Sequence, residues 1–185
     1  MMNGAKLGGR LWAAWLAASL LGERGAAAED AVSFGPNDAR AVFVVAKSEN
    51  KNQVHYGVHL DASCNPIGRS PVFGYWRMFE DRGRIEPLLG MEQPAYGLSD
   101  GQLVRRDEET TTIVFRLRAF PDRPVTIVVR SLAGRCEAIA RSAISGSEAR
   151  LSSIYLKLRW PFGVDYMLVR GIDDRNRAVE EWIRN

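Results

Sequence analysis

The sequence contains little of what nucleic-acid-binding proteins and most enzymes depend on. Its 185 residues include only 2 histidines and 2 cysteines, and 25 basic residues stand against 22 acidic ones, giving a formal net charge of +3. So small an excess of positive charge argues against a nucleic-acid partner. With 46% hydrophobic and 25% charged residues, the composition is that of an ordinary globular protein. The length suits one domain and hardly two.

Recognisable catalytic and cofactor-binding motifs are also missing from the sequence. It has no phosphate-binding loop, dinucleotide fingerprint, calcium loop or Gly-x-Ser-x-Gly elbow. Its adjacent acidic residues would face opposite sides of a strand, which is typical of a solvated surface. These pairs are Glu80 with Asp81, Glu108 with Glu109, and Glu180 with Glu181. We therefore assign no catalytic residue and no cofactor, and a non-enzyme is favoured over an enzyme.

The first 28 residues have the pattern of a secretory signal peptide. Lys6 and Arg10 precede an apolar run at 11–22, and Ala26 and Ala28 supply the small residues of a cleavage site. The run is too short for a membrane anchor, which needs roughly 20 apolar residues. We expect cleavage after Ala28 and export by the general secretory route to the periplasm or the extracellular space, without stable membrane insertion.

Export changes how Cys64 and Cys136 are interpreted. In an oxidising compartment they could form one disulfide. Closing the loop of about seventy residues between them would stabilise the fold by roughly 4 kcal/mol in the chain-entropy treatment. The alternative is two separate small side chains, since the sequence gives no distance between them. Neither cysteine lies beside a histidine, which argues against a thiol nucleophile.

After a flexible segment at 29–40, hydrophobic residues recur with a period of two and predict a single β domain over 41–185. The alternation is clearest at 54–60, 110–119 and 151–160. Short turns separate about eight or nine such strands, and no helices alternate with them, which excludes a doubly wound α/β fold. We predict an all-β fold, an antiparallel meander closing as a small lipocalin-like (calycin-like) barrel, with a β-sandwich as the alternative.

Two segments interrupt this series of strands. Pro87 favours the first turn of a helix and Pro94 opposes its continuation, which predicts a short helix at 86–93 that could cover one end of the barrel. Near the C-terminus, residues 173–184 fit either a helix or a final hairpin, and the preceding strands favour the hairpin.

The spacing of the two histidines argues against a metal site. His55 and His59 lie four residues apart in a predicted strand, where that separation spans about 13 Å. Zinc ligands lie about 2 Å from the ion, so these two residues cannot share one metal ion. We expect both side chains to face solvent or the lumen of the barrel.

Several motifs of the β domain carry a resemblance to a known family. They are Lys47 to Tyr56 (KSENKNQVHY), Pro71 to Trp76, and Glu86-Pro87-Leu88 followed by Glu92 and Ala95-Tyr96-Gly97. Over roughly residues 40–184 they resemble an uncharacterised bacterial family, domain of unknown function 4833 (DUF4833). The resemblance implies an exported bacterial β domain that ends in a hairpin. It implies no catalytic residue, because the family has no known activity, and the two cysteines are not part of its pattern.

Polar and aromatic side chains from these motifs form a candidate ligand site. Tyr and Arg donate hydrogen bonds, Glu accepts them and Asn does both, while the aromatic rings would add apolar surface near one mouth of the barrel. The candidate residues are Asn50, Asn52, Tyr56, Tyr75, Trp76, Arg77, Glu92 and Tyr96. The alternative is structural: the asparagines shape a turn, the aromatic residues fill the core, and Glu92 pairs with an arginine.

Three classes of function fit these observations. The first is an exported module that binds a small apolar or amphipathic ligand. The second is an envelope structural or protein-interaction module that uses a sheet edge or the arginines Arg116, Arg118 and Arg130. The third, a hydrolase-like enzyme, is required by nothing in the sequence. The expected partner is a small molecule or an envelope protein.

Overall fold

A computed structural model describes residues 40–47, 50–159 and 163–184. The predicted signal peptide at 1–28 lies outside the described residues, as does the predicted flexible segment apart from its last residue, Arg40. That residue begins the first strand.

Eleven strands make up most of the described chain, which confirms the predicted all-β, barrel-like fold. The strands are β1 Arg40–Lys47, β2 Gln53–Val58, β3 Val72–Met78, β4 Arg84–Pro87, β5 Leu103–Arg106, β6 Thr110–Leu117, β7 Phe120–Leu132, β8 Arg135–Ile144, β9 Ser147–Arg159, β10 Gly163–Asp173 and β11 Ala178–Arg184. The helical elements are single turns, at Phe79–Asp81, Gly90–Glu92 and, as the α-helix α1, Gln93–Tyr96. Among the described residues, no helix has the length and hydropathy needed to cross a membrane.

The sequence forms strands because its apolar residues alternate and its turns contain residues suited to positive φ. In β6, Ile113, Phe115 and Leu117 are buried, while the residues between them are more exposed. The two-residue turns at 133–134 and 145–146 have positive φ at both positions and end in glycine, which suits tight hairpins.

The sheet is a strongly curled half-barrel rather than a simple meander. Its hydrogen-bonded order is β4-β3-β2-β1-β9-β8-β7-β6-β5. Along one edge of β9, residues 147–150 pair with β8 and residues 153–156 pair with β1, while β10 lines the other edge. The β1–β9 pairing is parallel, which corrects the prediction of an entirely antiparallel sheet. The 13-residue length of β9 makes this possible, because it accommodates two partners end to end.

Because β8 and β1 pair with different parts of the same edge of β9, the sheet divides into two lobes, which face each other across the core. The first lobe consists of β1–β4 and the segment 79–98, and the second consists of β5–β8. The ring of Phe43 in β1 stacks on Tyr56 at 4.5 Å and packs 6.2 Å from Phe115 in β6. Cys64, in the loop after β2, forms a disulfide with Cys136 in β8, with Cα atoms 5.2 Å apart. The predicted disulfide is therefore confirmed, and it ties the two lobes together.

The helical turn and the C-terminal hairpin show which details the sequence signals captured. Glu86 and Pro87, predicted to begin a helix, lie in β4, and the helical turns start at Gly90. Pro94 lies in the first turn of α1, where its missing N–H is not needed, so it permits the helix instead of ending it. The predicted final hairpin is confirmed as β10 and β11, and Asn176 in its turn has a φ of 58°.

Candidate functional site

The eight predicted site residues all belong to the first lobe. They lie on both faces of the paired strands β2 and β3 and in the segments that border these strands. Strands β2 and β3 pair in antiparallel register, so alternate side chains point to opposite faces. Tyr56 and Trp76 lie on the face that joins the core, together with Tyr96 from α1. Tyr75 and Arg77 lie on the opposite face. The fold therefore does not gather all eight residues into one pocket.

Asn50, Asn52 and Glu92 stabilise turns of the backbone. The side-chain oxygen of Asn50 accepts a hydrogen bond from the backbone N–H of Asn52 at 3.1 Å. The side-chain oxygen of Asn52 accepts from the backbone N–H of Glu80 at 3.1 Å, and its amide donates to the Glu80 carboxylate at 3.2 Å. Glu92 accepts from the backbone N–H of Leu89 at 2.8 Å. These contacts agree with a structural interpretation of all three residues, although Glu92 bonds a backbone amide and not an arginine.

Tyr56 and Tyr96 meet on the core face through a short hydrogen bond. The Tyr56 hydroxyl donates to the backbone carbonyl of Tyr96 at 2.6 Å. Burial raises the pKa of Tyr56, and burial raises the pKa of Tyr96 to about 12. Both hydroxyls are therefore neutral at physiological pH and keep a proton to donate.

Trp76 and Tyr96 carry buried polar atoms for which the fold provides no hydrogen bond. Their rings pack edge to face with centroids 5.0 Å apart, and both side chains are buried. Neither the indole Nε1 of Trp76 nor the hydroxyl of Tyr96 has a hydrogen-bond partner. A buried polar group left in this state costs about 1–3 kcal/mol. Such groups are rare in folded proteins and are often explained by a functional role.

His55 is the residue of this region whose position the sequence did not predict. Its side chain is only 7% exposed, instead of facing solvent or a lumen, and both ring nitrogens lack hydrogen-bond partners. Its ring lies 5.6 Å from Tyr75 and 6.1 Å from Phe79. Burial, with a smaller contribution from the charge of Arg77, lowers the pKa of His55 to about 4. The only signal for this burial in the sequence was the aromatic-rich strand that pairs with β2.

Arg77 lies beside His55 at the edge of the same face. Its guanidinium carbon lies 5.4 Å from the centre of the Phe79 ring, and its Nε is buried without a hydrogen-bond partner. His59 stacks on Phe73 at 4.0 Å, farther along this face. No group of three or more His, Cys, Asp or Glu residues within 40–47, 50–159 and 163–184 is arranged to hold a metal ion.

Two surface depressions lie around the β10–β11 hairpin, away from strands β2 and β3. One is bordered by Ser147, Glu148, Asp173, Asp174, Arg175 and Arg177, and the other by residues of β9, β10 and β11. Neither includes any of the eight predicted site residues. In the first lobe, aromatic side chains instead fill the space on the core face of β2 and β3.

The arrangement of the motifs within one curled sheet agrees with a family assignment. The family described as Domain of unknown function (DUF4833) matches residues 43–182, from β1 to β11. The chain belongs to this family. A DUF4833 domain therefore includes both lobes and the β10–β11 hairpin. The chain has no significant match among the curated proteins or the solved structures. Membership assigns no reaction, because the description of the family itself states that the function is unknown.

Proposed function

We propose that this DUF4833 protein is an exported binding domain that takes a small amphipathic molecule on the core face of its first lobe, beneath residues 88–97. One observation carries the proposal: Trp76 Nε1 and the Tyr96 hydroxyl, which belong to rings packed edge to face, are both buried without hydrogen-bond partners. The indole N–H only donates, whereas a tyrosine hydroxyl both donates and accepts. A hydroxyl or carbonyl oxygen of a ligand would satisfy both groups.

The surroundings of these two groups favour a ligand that is otherwise apolar. Gly74, on the same face of β3, lets Leu88 and the Tyr56 ring pack directly against the backbone, because a Cβ atom there would lie only 3.1 Å from each of them. Small-molecule sites are typically apolar, with a few polar groups that orient the ligand. The cluster of Tyr56, Trp76, Tyr96 and Leu88 fits that description.

Residues 88–97 form the element that would move to admit the ligand. This segment contains only two single helical turns, and Met91 at its tip is 76% exposed. It is attached to β2 by the hydrogen bond from Tyr56 to the Tyr96 carbonyl and to β6 by the bridge between Leu98 and Leu117. Segments with few buried apolar contacts open at low free-energy cost. Outward movement of residues 88–96 would break the Tyr56 hydrogen bond and expose Trp76.

Export is part of the proposal and is supported by two independent features. The first 28 residues have the pattern of a signal peptide. The Cys64–Cys136 disulfide is of the kind that forms and persists in oxidising compartments. Expression of the full chain, followed by mass spectrometry of the periplasmic and extracellular fractions, tests this part. We expect a mature N-terminus at Glu29. Uncleaved protein retained in the cytoplasm would contradict export.

Binding is tested by titrating the purified protein with the fluorescent naphthyl ketone Prodan, an amphipathic probe whose carbonyl oxygen can accept hydrogen bonds from both groups. Wild type is compared with a Trp76→Phe/Tyr96→Phe double variant, which keeps the rings and removes both unpartnered polar groups. A Tyr155→Phe/Trp182→Phe variant, altered on the outer sheet face, is the matched control. We expect saturable binding that weakens at least tenfold in the first variant and is unchanged in the control. Equal binding by all three proteins, or no saturable binding, would overturn the proposal.

A second candidate function, a protein-interaction module, is favoured by an aromatic row on the outer sheet face. Tyr155 in β9, Tyr166 in β10 and Trp182 in β11 have successive ring centroids 6.2 and 5.3 Å apart. Trp182 is 58% exposed, and tyrosine and tryptophan are common anchors of protein interfaces. Crosslinking in cells with a photoreactive residue at position 182 tests this candidate. A specific crosslinked protein would support it, and crosslinking no greater than from a control position such as the exposed Asp122 in β7 would count against it.

A further inference from the structure

The face of β2 and β3 that points away from the core has its own group of unpartnered polar atoms. In the β2–β3 register, Gln53 lies opposite Arg77 and His55 opposite Tyr75, and in the β3–β4 register Arg77 lies opposite Ile85. We call these five residues and Phe79 the imidazole face. It is separated from the Trp76–Tyr96 cluster by the thickness of the sheet, because neighbouring residues of a strand point to opposite sides.

The imidazole face presents hydrogen-bond donors and one positive charge. His55 is neutral at physiological pH because of its lowered pKa, so one of its two unpartnered nitrogens carries a proton. Arg77 Nε–H is a second buried donor without a partner. In the part of the chain that the structure describes, no carboxylate lies within ion-pair distance of Arg77, whereas Arg84, Arg123 and Arg130 each have one. These two donors and the positive charge of Arg77 are therefore suited to an anion.

Apolar side chains adjoin these donors. The Phe79 ring contacts both the imidazole of His55 and the guanidinium of Arg77, and a large part of it is exposed. Ile85, opposite Arg77 in the neighbouring edge strand, is also exposed. An anionic group that bound Arg77 would thus be followed by a path of apolar surface along Phe79 and Ile85. This combination favours an amphipathic anion over a free inorganic one.

We propose that the imidazole face is a second ligand site, which binds the carboxylate or phosphate head group of a small amphipathic molecule between Arg77 and His55. The Arg77 guanidinium forms charge-assisted hydrogen bonds to the head group, and the imidazole N–H of His55 donates a further one. Phe79 and Ile85 contact the first carbons of the tail. This site does not depend on ligand binding at Trp76 and Tyr96.

Isothermal titration of the purified protein at pH 7 with octanoate, octyl phosphate and octanol tests the site. We expect both anions to bind and octanol to bind at least tenfold more weakly, since it lacks the charge. A preference between octanoate and octyl phosphate identifies which head group the site favours, and equal binding supports a general anion site. Octanol that binds as tightly as both anions would overturn the proposal.

Variants assign the binding to Arg77 and His55. Arg77→Gln and His55→Phe should each weaken octanoate binding, Arg77→Gln by at least tenfold. Arg116→Gln, at an exposed position of β6, should bind as wild type. Should Arg77→Gln fail to fold, Arg77→Lys keeps the charge but not the fork of donors, and we expect an intermediate loss. Octanoate binding that Arg77→Gln, or the substitute Arg77→Lys, leaves unchanged would overturn the proposal.

The Trp76→Phe/Tyr96→Phe variant separates this proposal from the proposed function. It should retain octanoate binding while it loses binding of the ketone probe Prodan, because its changes lie on the other face of the sheet. If that variant lost octanoate binding while Arg77→Gln bound octanoate as tightly as wild type, the anion would lie at the core-face site. This result would contradict a second site.

Discussion

The two lobes are built from the same kind of strand but bury different chemistry. In the second lobe and the neighbouring strand β9, the buried positions are mainly aliphatic, and the buried hydroxyl of Ser142 donates to the backbone carbonyl of Pro124 at 3.1 Å. In the first lobe, the buried residues include His55, Trp76 and Tyr96, whose polar atoms lack partners. The difference indicates that the second lobe maintains the fold, while the first carries polar groups that do not serve stability. This difference is the reason why we propose a binding function for the first lobe.

The largest effect is expected from a core substitution in the second lobe. Phe115→Ala removes a fully buried ring that packs against Phe43, and we expect the free energy of unfolding to fall by about 4 kcal/mol. Val114→Ala, at a less buried position of the same strand, should cost less than about 1 kcal/mol. Urea denaturation followed by circular dichroism measures both. Equal costs for the two variants would contradict the assignment of this lobe as the structural core.

The next largest effect is expected from the bond that joins the lobes. Cys64→Ala/Cys136→Ala opens a loop with a sequence separation of 72, and we expect a loss of about 3 kcal/mol. Thermal unfolding of the variant, compared with wild type in the presence and absence of reductant, measures it. Reduced wild type should resemble the variant. A wild-type melting temperature that does not respond to complete reduction would show that the lobes do not need this link.

A smaller, pH-dependent effect should distinguish the buried histidine of the first lobe from the other histidine. The pKa of His55 is about 4 in the folded protein against 6.5 for the free side chain, so the unfolded state binds more protons between these values. His55 therefore adds to the pH dependence of stability: folding free energy is lost as the pH falls from about 6.5 to about 4. We expect this contribution to be about 2 kcal/mol.

Denaturation curves between pH 4 and 7 for wild type, His55→Phe and His59→Gln test this contribution. The loss should be reduced in His55→Phe, which keeps the ring and removes the titrating group, and unchanged in His59→Gln. The same pH dependence in wild type and His55→Phe would mean that His55 titrates normally and is not desolvated.

The smallest expected effect is an increase in the free energy of unfolding, whereas the preceding substitutions are expected to lower it. Tyr96→Phe removes a buried hydroxyl that has no partner, and its backbone carbonyl can still accept from Tyr56. We expect the variant to be more stable than wild type by about 1 kcal/mol, whereas Tyr56→Phe, which removes a donor that is used, should be less stable. Denaturation of the two variants side by side measures the difference. Destabilisation of both by similar amounts would show that the Tyr96 hydroxyl is satisfied.

Local patterns in the sequence predicted the strands well, whereas they could not predict how strands that are distant in the sequence pair with each other. The alternation around Phe115 and the turn residues near Asn176 are properties of neighbouring residues, so the strands and the final hairpin followed from them. The parallel β1–β9 pairing joins segments that are far apart in the sequence, and no local signal specifies it. Pro94 was misinterpreted because a proline at a helix start and one past a helix end look alike in the sequence.

The candidate site was predicted only in part, for the same reason. Tyr56, Trp76 and Tyr96 do lie together, because the β2–β3 pairing and α1 bring them to one face. Asn52 instead bonds Glu80, a contact that depends on where the turn after β3 ends. His55 was missed because its strand is bordered by aromatic side chains from β3, which no periodicity within β2 reveals.

The indole N–H resonance of Trp76 provides the most direct test that the unpartnered groups of the first lobe serve binding. In a ¹⁵N-labelled protein titrated with Prodan, the Trp76 signal should shift progressively and saturate, while the signal of the exposed Trp182 stays in place. A Trp76 resonance that does not move at saturating probe, or one that moves no more than that of Trp182, would contradict the account.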